Sequence, residues 1–267
     1  MRRGWRFMAC AAGLVCAVIW LGPGPGGAAR PVRAAPRAAL KVMPLGDSIT
    51  SGTADWASYR CPLYRALLAA GLPVDFVGSI HGQLDSSTPP PAACQTNFDW
   101  NHEGHSGYRI DDILNGVAGR PGSLLSWATA AQPDVVLIHL GTNDLIQNKS
   151  VAGTVAQMGQ VIDTLRAANP RVRILLAQII PMRWQGVTYA TVAQFNAALP
   201  ALAVGRFQPF SPIRLVDQYT GFDVVADTHE GIHPNAGGEQ KMTVRWLAAF
   251  TEIIKPVKWV FVPAVWK

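Results

Sequence analysis

No acidic residue precedes Asp47 in this chain of 267 residues, and that absence accounts for most of its formal net charge of +6. Arg2, Arg3, Arg6, Arg30 and Arg33 all fall in the acid-free segment. Cleavage after Ala29 removes the first three and leaves +3; cleavage nearer Ala35 removes all five and leaves +1. The remaining body has no Lys/Arg cluster and offers no electrostatic footprint for nucleic acid. A run long enough to span a bilayer is also missing at the start: Phe7 to Leu21 is fifteen residues with Gly13 inside it, against the ~20 needed. Cysteine is scarce. Cys10 and Cys16 lie in that apolar stretch, neither preceded by a lipobox, which leaves Cys61 and Cys94. An even pair in an oxidising compartment predicts a Cys61–Cys94 disulfide across the Gly/Ser/Pro-rich loop from Ser79 to Asn97, contributing on the order of 3 kcal/mol. Two buried free thiols are the alternative.

The opening segment has the pattern of a signal peptide and leader over residues 1–35. A basic stretch at Met1–Arg6 precedes the apolar stretch, Gly22-Pro23-Gly24-Pro25-Gly26-Gly27 breaks any helix, and Ala28-Ala29 supply small residues for cleavage. The expectation is a secreted protein with no stable membrane insertion after cleavage. Arg2-Arg3 hints at twin-arginine export, although its neighbours fit that signal poorly. Residues 36–255, with 49% of the whole chain hydrophobic and 15% charged, suffice for one core and one domain. Residues 256–267, with Trp259, Phe261 and Trp266, are too apolar for a free tail and are expected to pack on the body.

Short apolar runs alternate with helical patterns, the signature of parallel strands joined by crossover helices. Strands are expected at 41–45, 74–77, 134–140, 171–180 and 213–216. Val135-Val136-Leu137-Ile138 and Ile174-Leu175-Leu176-Ala177 read as strands covered on both faces. Helices are expected at 63–70 and 190–202. Another carries Val151, Val155, Met158, Ile162 and Leu165 on one face and stops at Asn169-Pro170. The last is capped by Asn235 and buries Met242, Trp246, Phe250 and Ile253. The fold class is therefore α/β: three layers, α/β/α, around a doubly wound, mostly parallel, five-stranded sheet.

In such a sheet, ligands bind outside the carboxyl ends of the strands. Ser48 follows the first strand, Gly141-Thr142-Asn143-Asp144 follows the third, and Glu230 to His233 follows the fifth. A serine at a strand's end, with a distant histidine preceded three residues earlier by a carboxylate, has the parts of an activated nucleophile. The commonest alternative for Ser48 is a capping serine in a turn. His102-Glu103-Gly104-His105 looks like a zinc signature, but its histidines are three apart where the motif needs four. Gly104-His105-Ser106-Gly107 lacks the spacer of the G-x-S-x-G elbow. His139 is expected to be a satisfied core histidine, Asp47 and Asp144 to brace their own loops, and Asp111-Asp112 to sit in a helix's first turn. Trp56, Trp100, Tyr108 and Trp184 lie in loops able to reach the catalytic edge, where aromatic faces suit sugar rings.

Gly46-Asp47-Ser48, Gly104-His105-Ser106-Gly107, Gly141-Thr142-Asn143-Asp144 and Glu230-Gly231-Ile232-His233-Pro234-Asn235 resemble, in order and spacing, the four blocks of the GDSL/SGNH hydrolases. The stretches Val42 to Thr50 and His102 to Asp111 are most similar to the acetylxylan esterases of carbohydrate esterase family three. The resemblance implies a flavodoxin-like α/β/α fold and a serine esterase that needs no cofactor and no metal. It implies Ser48 as nucleophile, His233 as base, and an oxyanion hole built from the Ser48 and Gly107 N–H groups with the Asn143 amide. The family has Asp three residues before the histidine, whereas this chain has Glu230. Asp227 and a backbone carbonyl are the rival partners for His233. The implied substrate is an O-acetylated plant polysaccharide, xylan first, cleaved by a monomer. The alternatives are a broad short-chain lipase or arylesterase, and a non-catalytic carbohydrate-binding protein with a relaxed triad.

Overall fold

A computed structural model describes residues 38–255 apart from 54, 85–87, 185–186 and 189. The leader at 1–35 and the apolar tail at 256–267 lie outside the described residues. The strands are β1 (Leu40–Gly46), β2 (Val74–Phe76), β3 (Ile80–His81), β4 (Asn101–Gly104), β5 (Val135–His139), β6 (Arg173–Gln178), β7 (Arg183–Trp184), β8 (Val187–Thr188) and β9 (Ile213–Asp217). The helices are α1 (Ser48–Ser51), α2 (Arg60–Ala69), α3 (Ile110–Asn115), α4 (Leu124–Ala131), α5 (Thr142–Ile146), α6 (Val151–Ala168), α7 (Thr191–Gly205) and α8 (Ala236–Ile253).

Five parallel strands run in the order β2-β1-β5-β6-β9, the doubly wound order in which direction reverses between β1 and β5. Every residue of β5 is buried, as its unbroken apolar run requires. Helix α2 packs on α8, while α3, α4 and α7 pack around α6, giving a helical layer on each face. The expected stripe of α8 is in the core, with Met242, Trp246 and Phe250 fully buried. Asn235 caps that helix, its side-chain oxygen accepting from the Gly237 and Gly238 N–H groups at 3.0 and 3.1 Å.

The sheet is larger than the five strands expected. It has seven, because β4 pairs with the carboxyl end of β1, beyond the reach of β2, and β3 adds antiparallel to β4; β7 and β8 form a separate hairpin. Asn101-His102-Glu103-Gly104 carries no apolar run, so periodicity had nothing to detect. His102 and Glu103 are buried nonetheless. Each His102 ring nitrogen is occupied: Nδ1 accepts from the Gly104 N–H at 2.9 Å and Nε2 donates to the Gly82 carbonyl at 3.1 Å. Burial holds that ring neutral, well below the usual imidazole range.

Helix α7 contains Pro200, as the expected span 190–202 does, and runs three residues past Leu202. Proline has no N–H for the carbonyl four residues earlier. That carbonyl, on Asn196, instead accepts from the Gln178 side-chain amide at 3.2 Å. The buried Asn196 side chain in turn pairs with both backbone groups of Ile179, at 2.8 Å each. Tertiary hydrogen bonds thus replace the missing helical one.

The expected disulfide is present. Cys61 at the start of α2 is bonded to Cys94 in a short 3₁₀ turn, closing a separation of 33 residues.

Candidate active site

The chain leaves β1 at Gly46 and enters α1 within two residues, so Ser48 stands at the switch point of the sheet. A tight turn needs a small residue here: a Cβ on Gly46 would fall 2.9 Å from the His139 carbonyl and closer still to Thr50. Asp47 caps α1, its Oδ1 accepting from the Ile49 N–H at 3.0 Å. Ser48 itself is half-buried.

His233 reaches this serine from the loop between β9 and α8. Its Nε2 lies 2.8 Å from Ser48 Oγ, across 185 residues of sequence. On the other side of the ring, Nδ1 contacts Glu230 Oε1, which also accepts from the His233 N–H at 3.2 Å. The loop is held by several bonds: His229 N–H to the His233 carbonyl at 2.9 Å, Gly231 N–H to Thr228 Oγ1 at 2.8 Å, and Arg183 N–H to the Gly231 carbonyl at 2.7 Å. Trp56 walls the base, its ring stacked on His229 with centroids 4.1 Å apart and tilted against His233 at 5.7 Å. Of the aromatics expected near the site, Trp100 does not join it; its ring stacks on His81.

The rival acid is committed elsewhere. Asp227 Oδ2 pairs with Lys241 Nζ at 2.6 Å and accepts from the Asp223 N–H at 2.7 Å, pinning the entry to α8. Glu230 is therefore the carboxylate in contact with His233 Nδ1 and placed to orient the ring. We expect Glu230→Ala to lower kcat by about 10²-fold. Asp227→Ala should leave kcat near wild type and lower the melting temperature, which kinetics and a thermal melt on the two variants would separate.

The three expected oxyanion donors are tied into one network. The His105 N–H donates to the Gly46 carbonyl at 2.9 Å, locking the loop after β4 to the end of β1. Tyr108 N–H returns to the His105 carbonyl at 3.1 Å, and the Asn143 amide donates to the Tyr108 carbonyl at 2.9 Å. Between them Gly107 has φ +79°, a backbone region that disfavours any side chain, with open space in front of it. Asp144, expected to brace its own loop, instead accepts from the Ile110 N–H at 3.1 Å and so ties α5 to α3. His139 is buried and neutral, its pKa pushed down to about 4 by burial. Its Nε2 accepts from the Ile180 N–H at 3.3 Å, but among the described residues Nδ1 has no partner outside its own residue.

Two contributors gave no signal in the sequence. Arg60, fully buried, donates to the Thr50, Ser51, Trp100 and Gly82 carbonyls at 2.7 to 3.0 Å, bracing the nucleophile turn against the disulfide loop. Burial pushes its pKa down to about 9, which leaves it charged at neutral pH. Glu239, in the first turn of α8, shares with Ser48, Trp56 and His233 the wall of a cleft of only about 10 Å³. Burial pushes its carboxyl up to about 7, against the pull of Arg60.

Burial also pushes Asp47 up to about 6, although the Ile49 N–H and the charge of His233 act the other way. A carboxyl raised on folding binds its proton in the native state where the unfolded chain has already lost it. Its contribution to stability is full below about 3.8 and is lost as pH rises through about 6. Asp47→Asn should therefore flatten the fall in melting temperature between pH 4 and 7, measured by thermal melts across that range.

Comparisons with known proteins identify relatives of this chain. Residues 45–241 match the GDSL-like lipase/acylhydrolase family. A multidomain esterase of Ruminococcus flavefaciens is 31% identical over 229 residues, which is 81% of this chain; the chain spans 29% of that relative's length. A carbohydrate esterase of family 3 from Talaromyces cellulolyticus superposes with a TM-score of 0.69 at 32% identity, covering 82% of this chain and 100% of that one. An acetyl esterase crystallised as a serine-to-alanine variant with acetate gives 0.68 at 31% identity, with coverage of 80% and 98%. With its serine, histidine and carboxylate aligned at the switch point of a doubly wound sheet, the described domain is a carboxylic ester hydrolase, and the chain belongs to the GDSL-like lipase/acylhydrolase family.

Proposed function

We propose that this protein is a secreted serine esterase that removes acetyl groups from an O-acetylated plant polysaccharide, xylan first, through an acyl-enzyme. The observation that carries the mechanism is the continuous contact from Ser48 Oγ through His233 to Glu230. His233 Nε2 takes the serine proton as Oγ attacks the ester carbonyl. The oxyanion then faces the Ser48 and Gly107 N–H groups and the Asn143 amide. His233 returns the proton to the departing sugar oxygen, which leaves as a hydroxyl; it next takes a proton from the water that attacks the acyl-enzyme and passes it to Ser48 Oγ as acetate leaves. No step requires a metal or an organic cofactor.

The acetyl group and the sugar are supported by the structural relatives, an acetyl esterase and a family 3 carbohydrate esterase. Secretion rests on the leader pattern at residues 1–35. The test is acetate release from acetylated xylan beside a series of aryl esters of increasing acyl length. The proposal expects release from xylan and a steep fall beyond short acyl groups. Efficient cleavage of long acyl esters with no action on xylan would favour a lipase; sugar binding without turnover would favour a carbohydrate-binding protein.

A further inference from the structure

A groove of about 1110 Å³, far larger than the cleft at Ser48, opens beside the oxyanion loop. Ser106 and Tyr108, the two chain neighbours of Gly107, form part of its wall. From there it extends between the β2–β3 segment and α4, as far as Asp75 in β2 and Ala130 in the last turn of α4. The groove thus starts at the chain neighbours of Gly107, although it shares no wall residue with the cleft at Ser48.

Its walls are of two kinds. The apolar part, from Ile80, Tyr108 and Trp127 with the wholly buried Phe76 behind them, shows only a small part of its surface, while Asp75, Ser79, Asn101, Arg120 and Ser126 bring polar groups to the lining. The apolar part is rigid. Trp127, His105 and Tyr108 form a ladder of stacked rings, 4.3 and 4.8 Å between centroids, and the Arg120 guanidinium closes it 5.4 Å over Tyr108. His105 is fixed within the ladder by Glu103, a fully buried carboxylate that accepts from His105 Nε2 at 2.6 Å and from Ser79 Oγ at 2.6 Å. A rigid apolar part with hydroxyl, amide and guanidinium groups around it matches a sugar chain, which presents C–H faces and ring hydroxyls together. An acyl chain would desolvate those polar groups and give them nothing in return.

We infer that this groove is the subsite for the saccharide backbone on one side of the acetylated sugar, with Arg120 as an exposed hydrogen-bond donor to the chain. The inference rests on the polysaccharide reading of the active site. It places recognition of the polymer apart from the acetyl cleft: the groove sets KM for long substrates, and Ser48 with its partners sets the chemistry.

The test compares Ala130→Trp, which fills the groove from an exposed position on α4, with Arg120→Ala, which removes the donor. Acetylated xylo-oligosaccharides and 4-nitrophenyl acetate are the paired probes. We expect kcat/KM on the oligosaccharide to fall about tenfold or more in Ala130→Trp and several-fold in Arg120→Ala, mainly through KM. Hydrolysis of the aryl acetate and the melting temperature should stay near wild type. Oligosaccharide turnover by the parent that is unchanged in both variants would overturn the groove and leave the esterase reading intact. An equal loss on both probes would make the groove a support for the oxyanion loop only. A selective loss on long-chain aryl esters would make it an acyl site. A parent that cleaves only the aryl acetate would overturn the polysaccharide reading itself.

Discussion

Ser48→Ala is expected to lower kcat by at least ~10⁴-fold on any ester while the protein folds and melts as wild type. The size follows from role: without Oγ there is no nucleophile, and His233 and the oxyanion donors retain only a weak activation of water. The fold should be indifferent because Ser48 is half-buried and the α1 cap comes from Asp47, not from the serine hydroxyl. Circular dichroism and a thermal melt, run beside the ester assay, check both halves of the expectation. A loss of only a few-fold would mean that another group attacks the ester.

The second large effect is expected at Asn143. Its amide donates to the Tyr108 carbonyl at 2.9 Å, which fixes the side chain and leaves its second N–H for the oxyanion. Removing one such donor typically costs ~10²- to 10³-fold in kcat, and Asn143→Ala should fall in that range with KM little changed. Asn143→Asp should be worse, because a carboxylate there would oppose the negative charge developing on the acyl oxygen and would also face the Tyr108 carbonyl. Steady-state kinetics on both variants with one aryl acetate would show the order. If the Asp variant were the more active, Asn143 would not be an oxyanion donor.

The parts of the site that sequence makes legible are those whose chemistry is local. Gly46-Asp47-Ser48 and the Glu230 to His233 loop announce a turn, a nucleophile and a base, and apolar runs such as Val135 to Ile138 place them at strand ends. The choice between Glu230 and Asp227 was open because both lie within reach of His233 along the chain. In the folded chain Lys241, fourteen residues further on, pairs with Asp227 and leaves Glu230 in contact with His233. Strand β4 was hidden because its ladder partners, not its own residues, make it a strand: a polar tetrapeptide is drawn into the sheet by pairing with Leu45 and Gly46. Arg60 was hidden for a related reason. An arginine on a helix ordinarily faces water; this one is buried because backbone carbonyls from three separate segments converge on it. Only a folded chain brings those carbonyls together.

The family's aspartate is here a glutamate, and the structure accommodates the extra methylene without loss of contact with His233 Nδ1. The carboxylate remains about one-third exposed, so solvent screens part of its effect on the ring. This is the reason Glu230→Ala is expected to cost less than Ser48→Ala. The imidazole is also held by Trp56 from one side and by the bond from the His229 N–H to the His233 carbonyl, which survives that change, while the His233 N–H loses its Glu230 acceptor.

The central claim is that Ser48 becomes acylated, and intact-protein mass spectrometry of a rapidly quenched reaction with 4-nitrophenyl acetate tests it most directly. The account predicts a transient increase of one acetyl group, mapped by peptide digestion to the segment containing Ser48 and absent in Ser48→Ala. An adduct on another residue, or full turnover with no adduct at Ser48 at any quench time, would contradict it.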